Sequence, residues 1–226
     1  YWIMCPAGGV ATGWQLAMRS KSPYGPYECK TVLAQGGTNV NGPHQGGWIQ
    51  TKQGEDWFVH FQDKGAYGRV VHLQPVTWTN GWPVMGIDKD GDMCGEPVTT
   101  YRKPNVGKTY PIQNPVESDE FNTPQLGKQW QWHANYSQYY GQPTPYGFFR
   151  MYTHKLSENF VNLWEAPSLL LQKTPADAFT ATTKIKLAAK SEGQFGGLIM
   201  MGRGYSALVV KRVGDAFQLQ QLTCNK

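Results

Sequence analysis

Residues 56–73 read DWFVHFQDKGAYGRVVHL, in which two apolar and aromatic segments flank a loop that contains two glycines. The same arrangement begins 55 positions earlier, where residues 1–18 read YWIMCPAGGVATGWQLAM. β-Branched and aromatic residues favour strands, and the glycines between them favour turns. Each copy therefore predicts a pair of strands joined by a loop, with Arg69 and Trp14 at equivalent positions where the second strand begins.

The repeat extends beyond one pair of strands. In the second copy, strands are predicted at residues 47–51, 57–62, 70–79 and 83–87, whereas the first copy lacks its opening strand. Repeats of roughly 40 to 60 residues that contain several short strands are typical of β-propeller blades. Because a blade needs a neighbour on each face, we expect the rest of the ring to come from chain outside these 226 residues or from another chain.

The second half has a different pattern. A Pro-rich connector is expected over residues 104–117, between propeller blades at residues 1–103 and a further domain at residues 118–226. Short strands separated by turn residues, without helical periodicity, favour a β-sandwich, so the fold class is all-β. This domain is expected to be incomplete because the chain stops directly after a strand. Its strands are predicted at residues 130–134, 148–153, 160–164, 178–186, 196–201, 205–211 and 217–222.

The composition excludes several classes of protein. Only 16% of the residues are charged, and the net charge of +5 is dispersed, with no basic run longer than two residues. A nucleic-acid partner is not expected, because its binding surface would concentrate Lys and Arg. A membrane partner is not expected either, because no apolar run approaches the roughly 20 residues of a membrane-spanning helix. The chain begins as if inside a strand and without a signal peptide, so it is expected to be a mature or trimmed piece. Its location is undetermined, with a secreted or periplasmic one favoured.

The cysteines and one cluster of aspartates are residue types that can bind metals, but neither pattern gives strong evidence for a metal site. The four cysteines, Cys5, Cys29, Cys94 and Cys224, contain no CxxC pair, so zinc and thioredoxin-type redox sites are not indicated and buried free thiols are expected. Residues 88–92 read DKDGD, which has the aspartate spacing of a small calcium loop. Because the later bidentate glutamate is missing, a surface turn is the favoured interpretation of this segment.

Three stretches of the first half resemble glycoside hydrolase family 43, which contains β-xylosidases, α-L-arabinofuranosidases and arabinanases. They are AGGVATGW at residues 7–14, NGPHQG at 41–46 and HFQDKGAYGR at 60–69. The second half resembles the concanavalin-like sandwich of the xylosidase branch, through DEF at 119–121 and LGKQWQW at 126–132. The resemblance implies the last blades of a five-bladed propeller followed by a concanavalin-like β-sandwich.

The resemblance also implies an inverting mechanism that this chain does not complete alone. In that mechanism an Asp base activates water and a Glu acid protonates the leaving oxygen, with the two groups roughly 6.5–9.5 Å apart. The family's arrangement places both groups, and a second Asp, upstream of Tyr1, so no catalytic residue is expected in this chain. Glu55 and Asp56 are expected to be solvated carboxylates of a turn rather than substitutes.

Four residues are implied to face the substrate. Arg69 matches the family's arginine that hydrogen-bonds the sugar, with an ion pair to Asp63 as an alternative that is compatible with that role. Asp63 either faces the substrate region or caps a turn. Gln62 is either a polar contact or a strand-end residue. Trp14 either offers its indole face to a sugar ring or fills the core between blades.

His44 is implied to lie under the active centre. The family's matching histidine often coordinates a central calcium ion or the water molecules of that ion. Calcium, structural or near the pocket, is therefore the expected cofactor, and no organic cofactor is expected. Because calcium prefers oxygen ligands, a contact through water is as compatible with the sequence as direct ligation.

The leading hypothesis is a part of an inverting exo-glycosidase that releases terminal xylose or arabinofuranose from plant hemicellulose. Its expected partners are a xylo- or arabino-oligosaccharide and the remaining propeller blades of the same protein. The alternative is a non-catalytic carbohydrate-binding or structural fragment, because the catalytic carboxylates are not in this chain.

Overall fold

The computed structural model of the protein describes residues 1–225, apart from the side chain of Ala66. In the described chain no α-helix occurs, and two short 3₁₀ helices lie at Gly65–Tyr67 and Leu163–Glu165. The chain forms two compact units that divide between Ile112 and Gln113, within the segment 104–117 expected as a connector. The all-β architecture confirms the predicted fold class.

The first unit consists of two antiparallel sheets, with strand orders β1-β2-β3 and β4-β5-β6-β7. Trp14 opens β2 opposite Ala7, and Arg69 opens β6 opposite Asp63, so the two repeat positions are equivalent in the structure as predicted. The first sheet also contains β3, a strand that the sequence pattern did not indicate. The strands are β1 Trp2–Ala7, β2 Trp14–Arg19, β3 Glu28–Leu33, β4 His44–Gln50, β5 Asp56–Asp63, β6 Arg69–Thr79 and β7 Trp82–Met85.

The core of the first unit lies between the two sheets. Side chains alternate between the two faces of a strand, so Phe58, His60 and Gln62 of β5 point to the same face, and all three are buried. Polar residues therefore share this interior with the apolar ones. The apolar core cluster consists of Ala17, Val32, Leu33, Phe58, Trp82 and Met85.

Arg19 connects the first sheet to the second. Its Nε lies 2.9 Å from Glu28 Oε2, its Nη1 donates to the Gly81 carbonyl at 3.0 Å, and its guanidinium lies 4.2 Å from the Trp82 ring centroid.

We expect Arg19→Ala to lower the free energy of unfolding by about 1–2 kcal/mol, because the change removes a cation–π contact and hydrogen bonds. Urea denaturation followed by tryptophan fluorescence measures this. Lys21→Ala is the control, since Lys21 is exposed and its side chain forms no hydrogen bond or ion pair among the described residues, and an equal loss in both variants contradicts the prediction.

The second unit contains a three-stranded antiparallel meander, β12-β13-β14, and two short two-stranded sheets, β9/β10 and β8/β11. Its core includes Leu163, Ala166, Ala207 and Val209. The strands are β8 Gln131–Trp132, β9 Gly141–Pro143, β10 Phe149–Met151, β11 Leu170–Leu171, β12 Phe195–Met201, β13 Tyr205–Val213 and β14 Ala216–Cys224. Of these, β9 and β11 were not predicted.

Two predicted strands of the second unit are wrong. The segment 160–164 leads into the 3₁₀ helix Leu163–Glu165, because the Asn162 side chain accepts a hydrogen bond from the Trp164 backbone N–H at 2.9 Å and starts a turn. The segment 178–186 pairs with no strand among residues 1–225, and most of its residues are exposed. Residues that favour strands do not form one by themselves, because their backbone N–H and C=O groups must also pair with a neighbouring strand.

Two further expectations concern the cysteines and membranes. The four cysteines are free thiols as expected, but the prediction that they are buried is wrong, since Cys29 is exposed and the other three are half-buried. Cys29 lies on β3, an edge strand, where one side of the strand is open to solvent. Within the described residues, no helix has the length and apolar character needed to cross a membrane.

Candidate functional site

Two loops of the first unit meet at one end of its sheets: the β1–β2 loop and the segment 34–43, which leads into the start of β4. The Asn41 side-chain amide donates to the Ala11 carbonyl at 3.1 Å, and a Cβ added to Gly42 would lie 2.3 Å from the Val10 carbonyl oxygen. The β5–β6 loop lies at the same end, because His44 pairs with Phe61, two residues before Asp63. These loops bring together all five residues that the sequence singled out.

His44 is the buried centre of this loop cluster. It opens β4, its side chain is fully buried, and its Nδ1 lies 2.8 Å from the Gly42 carbonyl oxygen. A carbonyl oxygen only accepts, so Nδ1 is the donor in this bond, and in that tautomer the lone pair lies on Nε2. Nε2 has no hydrogen-bond partner among the described residues and faces Gly13, whose added Cβ would lie 2.5 Å away.

The position of His44 fits a water molecule better than a directly bound calcium ion. An imidazole whose other nitrogen is held by a backbone carbonyl is oriented as metal-binding and water-binding histidines are. Calcium, however, takes six to eight oxygen ligands, and one imidazole nitrogen supplies none. The buried, unpartnered Nε2 is therefore compatible with a contact through water, one of the two alternatives that the sequence left open.

Gln62 is held by the protein itself. The side chain is 7% exposed, and its Nε2 donates to the Asn39 carbonyl at 2.7 Å and to Asn41 Oδ1 at 2.9 Å. Its Oε1 lies 3.2 Å from His72 Nε2. Because both ends of the amide are occupied, the geometry favours the strand-end alternative, in which Gln62 fixes the loop that precedes His44.

Asp63 and Arg69 face each other across β5 and β6 but form no ion pair in the described structure. Asp63 Oδ1 instead accepts the Gly65 backbone N–H at 2.9 Å, as in the turn-capping alternative. The Arg69 guanidinium lies 4.5 Å from the Phe61 ring centroid, and none of its N–H groups has a protein acceptor in the described chain. Arg69 therefore has donors available for a ligand.

Trp14 is partly exposed at the mouth of the β1–β2 loop. Its side chain is 39% exposed and lies against Gly8, where an added Cβ would come within 2.8 Å of Trp14 Cζ3. Gly8 has a φ of 75° and so needs the freedom of glycine as well as the space. The indole is not part of the core cluster between the sheets and Trp14 is partly exposed, so the structure does not support the core alternative.

Sequence reasoning did not identify a buried histidine pair next to this site. His60 is 2% exposed and stacks on His72, with ring centroids 5.4 Å apart, and its Nε2 lies 3.1 Å from the Gln74 amide nitrogen. Burial lowers the pKa of His60 to about 4; its bond to the Phe61 carbonyl opposes the shift, and repulsion from His72 and His44 adds to it. Burial, with help from Lys64, also lowers the pKa of His72. Both histidines lie on predicted strands, but their stacking depends on the register that pairs His60 with His72, which the sequence pattern does not define.

Glu55 and Asp56 are structural residues at the other end of β5. Glu55 accepts hydrogen bonds from the Asn105 backbone at 2.7 Å and from Arg102 at 2.6 Å, and the bond from Asn105 is the main cause that lowers the pKa of its carboxyl. Asp56 accepts bonds from the indoles of Trp48 at 3.0 Å and Trp78 at 2.7 Å. The expectation that they are merely solvated is wrong, because both are half-buried and fully engaged.

The acidic loop at residues 88–92 behaves as a turn. Carboxylate oxygens of Asp88, Asp90 and Asp92 lie within 4.8 Å of one another. They accept backbone N–H groups of the same loop, including Gly91 at 2.8 Å and Cys94 at 2.6 Å. The geometry agrees with the surface-turn interpretation, in which these carboxylates satisfy the loop's own donors.

Comparison with known proteins supports a family assignment. Residues 1–83 match the sequence model described as "Glycosyl hydrolases family 43", and residues 118–226 match "Beta xylosidase C-terminal Concanavalin A-like domain". A "Putative beta-xylosidase" of Xylanibacter ruminicola is 48% identical over 137 residues, which cover 60% of this chain and 26% of that protein. The "Non-reducing end alpha-L-arabinofuranosidase BoGH43B" of Bacteroides ovatus is 29% identical over 240 residues, which cover 95% of this chain and 42% of that protein.

The solved structures agree with the sequence comparison. A "Bifunctional GH43-CE" protein of Bacteroides eggerthii superimposes with a TM-score of 0.72 at 25% identity, over 94% of this chain and 26% of that protein. The chain thus spans less than half the length of each of these relatives. Its two halves match the two consecutive domains of one family in order, and the chain therefore belongs to glycoside hydrolase family 43.

Proposed function

We propose that this chain is part of an inverting glycoside hydrolase that releases terminal xylose or arabinofuranose from plant hemicellulose. The observation that carries the proposal is the pair of equivalent strand starts at Arg69 and Trp14. At these positions the Arg69 guanidinium has free donors and the Trp14 indole is partly exposed, both at the loop end where His44 lies. Relatives named as a xylosidase and an arabinofuranosidase support the substrate class.

In this proposal the chain's residues bind and orient the sugar, and the proton-transfer groups lie elsewhere. Arg69 donates to adjacent sugar hydroxyls, and Trp14 covers an apolar ring face. Asp63 caps its turn, and Glu55 and Asp56 are engaged at the far end of β5. The Asp base and Glu acid are therefore assigned to the remaining propeller blades of the same protein, on segments outside residues 1–226.

The test compares the 226-residue chain with the longer protein that carries it. Both are assayed on aryl xylosides and aryl arabinofuranosides, and the anomer of the released sugar is followed by NMR. We expect turnover with inversion from the longer protein and none from the chain alone. Comparable turnover by the chain alone would contradict the assignment of acid and base. Sugar binding without turnover by the longer protein would favour the carbohydrate-binding alternative.

Arg69→Ala in the longer protein is expected to lower kcat/KM by roughly 10- to 100-fold, because hydrogen bonds from a charged donor are worth about 1.5–3 kcal/mol. The melting temperature should fall by a few degrees at most, since the interaction that the structure shows for the Arg69 guanidinium is one cation–π contact with the Phe61 ring. Arg203→Ala is the matched control, because Arg203 is exposed in the second unit. Unchanged kinetics of Arg69→Ala would remove this residue from the pocket.

We also propose that a calcium ion lies near His44 and that one of its water molecules bonds to Nε2. The buried, unpartnered Nε2 supports this arrangement. A strong chelator is expected to lower activity of the longer protein by about tenfold or more, and added Ca²⁺ should restore it, because loss of a single group that orients a metal's ligands already costs roughly 10–100-fold. Indifference to the chelator, with calcium absent by elemental analysis, would contradict the proposal.

A further inference from the structure

The second unit contains a cleft that the proposed function does not use. It has a volume of about 470 Å³ and is lined by Gln138, Tyr139, Gln142, Tyr152 and His154. Sites for small molecules typically span roughly 300–1,000 Å³ and combine ring faces with a few polar groups. The cleft is an open groove, since all five lining residues are exposed, and it has this volume and this mixture of groups. It shares no residue with the loop cluster around His44.

Backbone hydrogen bonds hold the walls of the cleft in place. The turn that carries Gln138 and Tyr139 is closed by the Tyr140 N–H, which donates to the Ser137 carbonyl at 3.0 Å. The Tyr152 N–H donates to the Tyr140 carbonyl at 3.0 Å, which joins this turn to the end of β10. The Tyr140 ring packs edge-on against His154, with centroids 5.3 Å apart. The backbone segments that carry the cleft residues are therefore fixed, and the contact with Tyr140 orients the His154 ring.

The polar groups of the cleft are largely unused by the protein. In the described chain, the side-chain amide of Gln138, the hydroxyl of Tyr139 and the ring nitrogens of His154 have no hydrogen-bond partner. The one bond within the cleft, from Gln142 Nε2 to the Tyr152 hydroxyl, is long at 3.4 Å. No carboxylate, lysine or arginine lines the cleft. Such a lining offers ring faces and neutral donors and acceptors, without charge.

We propose that this cleft binds a neutral sugar ring of a plant polysaccharide chain, as a saccharide site that performs no chemistry. A sugar ring has one apolar C–H face and several hydroxyls, which match the tyrosine rings and the unused amide, hydroxyl and imidazole groups. An anionic ligand would lack a cation to pair with, since the lining contains neither lysine nor arginine. The inference goes beyond the proposed hydrolysis, because it concerns binding by the second unit.

The test is affinity electrophoresis of the 226-residue chain through gels that contain soluble arabinoxylan, polygalacturonate or no polymer. We expect arabinoxylan to retard the chain and polygalacturonate not to do so. Tyr139→Ala and His154→Ala should each raise the apparent Kd for arabinoxylan at least tenfold. Tyr139→Phe, which keeps the ring and removes the hydroxyl, should have a smaller effect and guards against misfolding of the alanine variants.

Tyr146→Ala is the matched control. Tyr146 is 78% exposed and stacks on Phe148 outside the cleft, so its removal should leave retardation unchanged. The proposal is overturned if arabinoxylan does not retard the chain, if Tyr139→Ala binds as the unchanged chain does, if Tyr146→Ala loses binding equally, or if polygalacturonate retards the chain as well. Hydrolysis of small aryl glycosides by the longer protein is a separate measurement, so failure of the proposed activity leaves this result intact.

Discussion

Acidification from pH 7 to pH 4 is expected to lower the free energy of unfolding by about 3 kcal/mol through His60 alone. The pKa of His60 in the folded chain is about 4, below the ordinary value of 6.5 that applies after unfolding. Between these two values the unfolded chain binds a proton that the folded chain does not, so stability falls as the pH falls. Each unit of difference is worth about 1.4 kcal/mol.

The cause is a buried interior in which several imidazoles lie close together. The ring of His72 on β6 stacks on His60, and His44 on β4 also lowers the pKa of His60 by charge repulsion. The side-chain amide of Gln74 donates a hydrogen bond to His60 Nε2. A proton added to His60 would have to replace the bond from Gln74 and would have no carboxylate partner among the residues that it contacts. The lowered pKa of His72 adds to the loss in the same direction.

Urea denaturation of the chain and of His60→Gln at pH 7, 5.5 and 4 measures the effect. Six of the nine tryptophans lie in the first unit, so fluorescence reports mainly on it. His60→Gln keeps a polar group next to Gln74 but cannot titrate. Between pH 7 and pH 4, the variant should therefore lose about 3 kcal/mol less of its free energy of unfolding than the unchanged chain does. The carboxylates titrate in both variants and cancel in the difference. A parallel fall of both variants would contradict a dominant role of His60.

Much of the first unit could be predicted from sequence because its apolar and aromatic segments repeat. The strands β5 and β6 were placed within one residue at each end, since each is a run of apolar and aromatic residues and glycines mark the loop between them. β3 was missed because Glu28–Leu33 mixes charged and apolar residues, and its role depends on pairing with β2. Pairing across a sheet is not encoded in the local pattern of either strand.

The candidate site was predictable as a set of positions but not as a set of contacts. Resemblance placed His44 and Arg69 near one another, and the structure brings their loops to one end of the unit. Whether Asp63 would pair with Arg69 or cap its own turn depends on backbone geometry at Gly65, which sequence spacing does not define. The His60–His72 stack was missed for the same reason, since it forms only when β5 and β6 pair in this register.

Gly13→Ala is expected to lower the free energy of unfolding by about 3 kcal/mol, the upper end of the range for overpacking a tight interior. An added Cβ would lie 2.5 Å from His44 Nε2 and 2.6 Å from the Ala7 carbonyl oxygen. Gly13 does not have a positive φ, so the backbone accepts alanine and the whole effect comes from these contacts. Either the His44 ring or the β1–β2 hairpin must move.

Gly9→Ala in the same loop separates this effect from a general cost of stiffening the loop. Its added Cβ would meet only Thr12 Oγ1 at 3.6 Å, an ordinary contact, so urea denaturation should find its stability unchanged or slightly raised. A double-mutant cycle with His44→Ala then locates the clash. If His44 Nε2 is the obstacle, the two changes together cost less than their sum, because removal of the ring frees the space that the alanine needs. Additive losses would mean that the Ala7 carbonyl alone opposes the side chain, and that Gly13 does not hold His44 in position.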